Sequence, residues 1–235
     1  MVMDKTFRAL LIVLTIGIAI SGIFAGFALY ADMRYENTFK SSYNYKFSIY
    51  TDSVLENVKI YVPLPSGNTG NSEIGLEAGK KPARGLPEDW EIEILGADNW
   101  IMLEMNTDRM EPQAKGEEIS FFVTSDSKKK IDTKNPIKFA EVLRPVNNPE
   151  RIACEQDIGT GAQCYMYTGQ VFVYFLTEKD ANVQIDVSLT GENSWDIFNP
   201  ESNMFSDTQS VTIIGGGKGW YKTTGMMNAA IGIYR

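Results

Sequence analysis

Apolar residues follow two different rules along this chain. From Ala9 to Ala31 they are continuous (ALLIVLTIGIAISGIFAGFALYA), with no charge, proline, asparagine or glutamine and only Thr15, Ser21 and Tyr30 as polar breaks. A helix rises about 1.5 Å per residue, so this run is long enough to cross a hydrocarbon core of roughly 30 Å. From Tyr43 onward the period switches to two. Tyr43, Tyr45, Phe47 and Ile49 alternate with Asn44, Lys46 and Ser48, and Val58, Ile60 and Val62 alternate with Asn57, Lys59 and Tyr61. Alternation of this kind predicts half-buried strands.

The same signal recurs at Trp90–Ile94, Ile101–Met105, Ile119–Thr124 and Val183–Leu189, with shorter late strands at Val211–Ile214 and Ile231–Tyr234. Gln170–Leu176 is apolar on both faces and reads as a central strand, joined by a turn at Thr177–Asn182 into a hairpin with the strand that follows. Ile137–Leu143 fits a strand or a single helical turn. Gly191–Asp207 reads as irregular, with Trp195 and Phe198 as core plugs. Ser66–Glu88 is long, Gly- and Pro-rich and locally basic at Lys80, Lys81 and Arg84, and connections of this length are either contact surfaces or mobile insertions. Nine or ten strand candidates with no long amphipathic helix predict a mainly β fold. The expected architecture is one N-terminal transmembrane α-helix followed by an antiparallel β-sandwich of Ig-like or jelly-roll-like kind.

The resulting plan is a cytoplasmic leader (1–8), a transmembrane signal-anchor (9–31), a juxtamembrane stalk (32–42) and an extracytoplasmic sandwich domain (43–235). A cleaved signal peptide has an apolar run of only about 7–15 residues, so retention of the helix is expected over cleavage near Leu29. Lys5 and Arg8 precede the span, which places the N-terminus in the cytoplasm and the β-domain outside. Within the span, Gly22 and Gly26 form one small-residue row, and Gly17, Ser21 and Ala25 an adjoining one. Small faces let a second membrane helix approach closely.

Composition narrows the chemistry. The net charge is −8, of which Asp4, Lys5 and Arg8 contribute +1, leaving −9 on everything after the span. Like charge makes nucleic acid a poor partner. The absence of histidine removes the commonest general base and metal ligand, and neither a cofactor nor a metal is expected. The two cysteines, Cys154 and Cys164, flank a Gly-rich turn, and in an exported chain this spacing predicts a disulfide.

Motif-like fragments carry little. Lys218 in the run Gly215–Gly219 is not followed by the Ser or Thr that a phosphate loop needs. Ser125 and Lys128 have the spacing of a serine–lysine acyl-transfer motif, but at a strand end rather than on a helix. Glu91 and Glu93 share a strand face and read as solvated acids. Tyr61, Trp100 and Trp220 are candidates for a sugar-stacking platform.

The expectation is therefore a non-enzymatic, single-pass anchored β-sandwich with a structural or protein-interaction role at the cell envelope. Its partners would be the lipid bilayer and another membrane helix or envelope protein. A carbohydrate-binding or hydrolytic surface domain is the alternative. An apolar N-terminal helix ahead of a β-domain also resembles the layout of type IV pilin-like filament subunits, and the resemblance implies a filament or secretion-apparatus subunit. The sequence lacks their charged cleavage junction and the acidic residue just inside the helix.

Overall fold

The computed structural model describes residues 5–67, 70, 72–78, 85–97, 100–114, 116–155, 158 and 161–234; the side chains of 5–9, 97 and 100 are not described. Lys80, Lys81 and Arg84, and the side chain of Trp100, thus lie outside the described residues. The chain forms two compact units: Met1–Phe39 with Ser194–Glu201, and Lys40–Asn193 with Ser202–Arg235.

The first unit is built on helix α1 (Lys5–Thr38), about 51 Å long at the standard rise. Leu10–Thr38 contains a stretch apolar and long enough to cross a membrane, and none of that stretch is buried by the protein. The helix continues seven residues past the apolar run, through the mixed-charge segment that follows Ala31. Its last turn meets the segment Ser194–Glu201. Thr38 Oγ1 bonds back to the Arg34 carbonyl (2.7 Å) and accepts the Asp196 amide (2.9 Å). Tyr35 packs on Phe39 and Trp195, with ring centroids 5.3 and 5.5 Å apart.

Among the described residues, the second unit is one antiparallel sheet of ten strands. These are β1 (Lys40–Thr51), β2 (Leu55–Pro63), β3 (Glu91–Ala97), β4 (Trp100–Met110), β5 (Ile119–Ser127), β6 (Glu150–Ile152), β7 (Gln163–Leu176), β8 (Asn182–Asp196), β9 (Pro200–Ile214) and β10 (Gly217–Gly232). Their order is β3-β4-β2-β7-β10-β9-β8-β1-β5, with β6 added beside β7. The sheet curls into a half-barrel, so its two arms face each other as the layers of a sandwich do. Inner positions alternate as the sequence requires: Tyr43, Tyr45, Phe47 and Ile49 of β1, Val58, Ile60 and Val62 of β2, and Val183, Ile185, Val187 and Leu189 of β8 all belong to one core.

One short connection behaves differently from expectation. Thr177–Asn182 does not close a hairpin, because β7 pairs with β2, β6 and β10 while β8 lies between β9 and β1. The Asp52–Ser53 turn likewise links strands that are not neighbours. Both connections step from one arm to the other, and they are tied to each other by the Asn182 amide on Asp52 Oδ1 (2.9 Å). Alternation is the same whether a turn leads to a neighbour or to the facing layer, so the pattern cannot distinguish them.

Gly191–Asp207, expected to be irregular, is mostly strand: β8 runs on to Asp196 and β9 begins at Pro200. Trp195 is buried as expected, but Phe198 is 54% exposed and is not a core plug. β10 is also far longer than the expected Ile231–Tyr234. Its glycines hide it in the sequence. The added Cβ of an alanine at Gly217 would collide with the Phe175 ring, and at Gly225 with the Tyr167 ring. Each of these aromatics is the glycine's own cross-strand partner. The bare backbone is the socket for a ring supplied by β7, an arrangement in which the apolar volume sits on the neighbouring strand.

The gap between the arms is filled by two irregular segments. Short helices α2 (Glu73–Ala78) and α3 (Pro136–Phe139) lie in them, so Ile137–Leu143 begins as the helical turn. Leu64, Ile74, Ala78, Ile131, Ala140, Val142 and Leu143 from these segments join the core. Ser66 and Val142 bridge as an isolated β-pair, and Arg144 donates to Ser66 Oγ (2.8 Å) and the Gly67 carbonyl (2.6 Å). Ser66, Ile74 and Ala78 of the Ser66–Glu88 connection are thus packed against the domain.

Candidate functional site

The outward face of the β4–β2–β7–β10 arm carries the most chemistry. Inward Val62, Ile60, Val171 and Val173 force their neighbours Tyr61 and Phe172 outward. Register then aligns them: Tyr61 stands opposite Phe172, and Phe172 opposite Trp220. The three rings form a continuous ladder across three strands. Tyr61 stacks on Phe172 at 5.0 Å, and Phe172 meets Trp220 edge-on at 5.6 Å. Trp220 is 56% exposed, a large apolar surface for a protein to leave in water.

The same row continues on the other side as Glu104 and Glu93, which stand opposite Tyr61 and each other. Glu104 is 7% exposed. Burial pushes its carboxyl up, but the hydrogen bond from Asn106 (2.9 Å) and the Lys59 ammonium (3.0 Å) outweigh this and hold it below the usual range. Lys59 also lies over the Tyr61 ring at 6.0 Å. The adjoining row aligns Glu91, Asn106, Lys59, Tyr174 and Lys218 in register. Beside it a shallow hollow of about 380 Å³ is lined by Asp89, Glu91, Lys59, Asn106 and Tyr174 among others. Rings alternating with ammonium, amide and carboxylate groups on a rigid sheet suit the stacked face and hydroxyl rim of a sugar. They equally suit an aromatic contact between proteins.

A second feature lies at the gap between the arms. A cleft of about 1130 Å³ is lined by Tyr43, Ser72, Glu73, Ile101, Ser127 and Glu141, among others. Ser72 Oγ caps α2 by accepting the Gly75 amide (2.8 Å), and Glu141 Oε1 accepts the Glu73 amide (2.8 Å). Glu141 in turn donates its own amide to the Tyr43 hydroxyl (3.1 Å). Burial, helped by the nearby Glu73 charge, raises the Glu141 carboxyl to about 7, although the backbone amides of Glu73 and Ile74 pull it down. Glu141 therefore clasps the two filler segments together. Among the described residues no group of three His, Cys, Asp or Glu side chains is placed to hold a metal ion.

The remaining singled-out residues are dispersed. Cys154 and Cys164 are disulfide-bonded, with Cα atoms 5.2 Å apart, and tie the segment after β6 to the start of β7. Gly17, Gly22 and Gly26 have open space where a Cβ would point. Ser125 is buried on β5 opposite Tyr43, and Gly215 is the left-handed turn residue (φ +92°) between β9 and β10, so neither fragment forms the motif its spacing suggested. Tyr61 and Trp220 do come together, through Phe172. The apolar look of QVFVYFL concealed that Phe172 and Tyr174 point away from the core.

No protein-family model matches the chain, and no curated protein or solved structure matches it.

Proposed function

We propose that this protein is a single-pass membrane-anchored β-domain that acts as a structural or interaction subunit at the cell envelope. Its N-terminus lies in the cytoplasm and its domain outside. The observation that carries the reading is α1. The large apolar side chains from Leu10 to Leu29 are exposed, with only Phe27 stacked on another part of the protein, so lipid is the solvent that matches them. A signal sequence has the same composition. Retention is supported by the packing of α1 on Ser194–Glu201, in which Phe27, well inside the apolar run, already takes part. The disulfide supports an oxidising compartment, and Lys5 and Arg8 support a cytoplasmic start. We assign it no catalytic role.

The contact surface of the exported domain is the aromatic ladder, and the open Gly17, Gly22 and Gly26 face of α1 offers a second contact, with another membrane helix. Cross-linking in intact membranes, with identification of the captured partners, tests this. A defined partner lost on Trp220→Ala supports the ladder as contact surface, and capture unchanged by that substitution refutes it.

The ladder also supports a second reading, carbohydrate binding. A glycan array on the full-length protein distinguishes the two: binding at millimolar ligand that Trp220→Ala abolishes would favour sugar recognition, and no binding at that concentration would refute it.

A further inference from the structure

We propose that the tip of the β8–β9 hairpin is a second membrane-contacting element, which lies in the bilayer interface beside α1 and inserts Phe198 among the lipid acyl chains. This rests on the reading of α1 as a retained anchor.

The tip turns at Ile197–Phe198–Asn199, between Asp196 and Pro200. Phe198 stacks on Phe27 at 5.1 Å with its ring nearly parallel (11°), and lies 6.1 Å from Tyr30. Phe27 is four residues inside the end of the apolar run, which is about 6 Å along the helix. A side chain held beside Phe27 is therefore held at acyl-chain depth. Despite that stacking, more than half of Phe198 remains uncovered by protein.

Polarity changes in step along both elements. Beyond the Phe27–Phe198 pair come Tyr35 and Trp195, the aromatic types that favour the headgroup level because one end of the ring is wet. The Trp195 indole donates to Glu201 Oε2 (2.7 Å). Arg34 faces Asp196 at 3.9 Å, and Thr38 Oγ1 takes the Asp196 amide. The two acids nearest the tip thus have partners in the protein and do not present bare negative charge to lipid headgroups. A loop made for water would not place an uncovered phenylalanine at the level of a membrane span.

Depth measurement tests this directly. The two native cysteines are bonded to each other, so a single introduced cysteine takes a thiol-reactive fluorophore alone. The full chain carrying Phe198→Cys, Phe27→Cys or, as an aqueous reference on the β7–β8 connection, Lys179→Cys is labelled with bimane. Each is reconstituted in phosphatidylcholine–phosphatidylglycerol vesicles containing spin-labelled lipid. Contact with lipid predicts that the labels at 27 and 198 are both quenched at least about two-fold more than the label at 179. Quenching at 27 with water-like behaviour at 198 overturns the insertion and leaves the anchor intact. No quenching at 27 overturns the anchor and the inference with it. Asn199→Cys repeats the measurement one residue along, where a label replaces no ring contact, and must report the same depth.

Discussion

At the scale of single residues, the interior is organised by polar side chains whose bonds are complete. Asn193 is fully buried. Its Oδ1 accepts from Ser41 Oγ (2.7 Å) and the Ile131 amide (3.0 Å), and its Nδ2 donates to the Ile131 carbonyl (2.8 Å) and Asn203 Oδ1 (2.9 Å). It therefore pins β1, β8, β9 and the segment before α3. Removing it strands several buried groups, each costing about 1–3 kcal/mol. Asn193→Ala should lower stability by at least about 3 kcal/mol in urea unfolding, well beyond the loss of a surface side chain.

Asp207 is the second such residue. It accepts from Tyr167 and from the Leu143 amide (2.8 Å), and Gln209 and Thr223 extend the chain of bonds. Burial raises its carboxyl from the ordinary 3.8 to about 8, even though both hydrogen bonds pull it down. The folded state then holds a proton that the unfolded chain releases near pH 4, so this group's contribution to stability is complete below that point. It falls as the pH rises towards about 8, and Glu141 adds to the same slope up to about 7. Melting temperature against pH should show this decline, and Asp207→Asn should flatten it. The same variant should be less stable at low pH by about 1–3 kcal/mol, since an amide offers one acceptor for two donors. An unchanged slope in the variant would contradict the assignment.

At the scale of elements, legibility followed the source of the apolar volume. α1 and strands β1, β2 and β8 carry their own core residues, and their pattern declares them. β10 borrows its core from Phe175 and Tyr167 across Gly217 and Gly225, so its own sequence (GKGWYKTTGMMNAAIG) shows no strand period over most of its length. The β8–β9 hairpin tip was missed because Phe198 looks like a core residue wherever it stands. The aromatic ladder was half legible: Tyr61 and Trp220 were visible as aromatics, but cross-strand register, which makes Phe172 the link between them, is not encoded in any one strand.

Two elements yield separate predictions. The disulfide closes a short loop, and its reduction should destabilise the domain by roughly 3 kcal/mol on the loop-entropy account, read as a lower melting temperature that Cys154→Ser with Cys164→Ser reproduces. The glycine face of α1 has room for a second backbone, so pairing through it predicts a cross-linked species in membranes that Gly22→Ile with Gly26→Ile removes. Monomer alone, with no change on substitution, would show that this face meets only lipid.

At the scale of the whole molecule, two materials are joined in one chain. A helix whose apolar run is largely exposed precedes an acidic sheet domain with an aromatic ladder across three strands of one outer face and a disulfide. The central claim is that α1 remains part of the working protein and spans the bilayer. Alkaline carbonate extraction of membranes followed by intact-mass analysis tests it most directly. The account predicts protein in the membrane pellet at a mass that includes residues 9–31. A species in the soluble fraction that begins near Leu29 would contradict it.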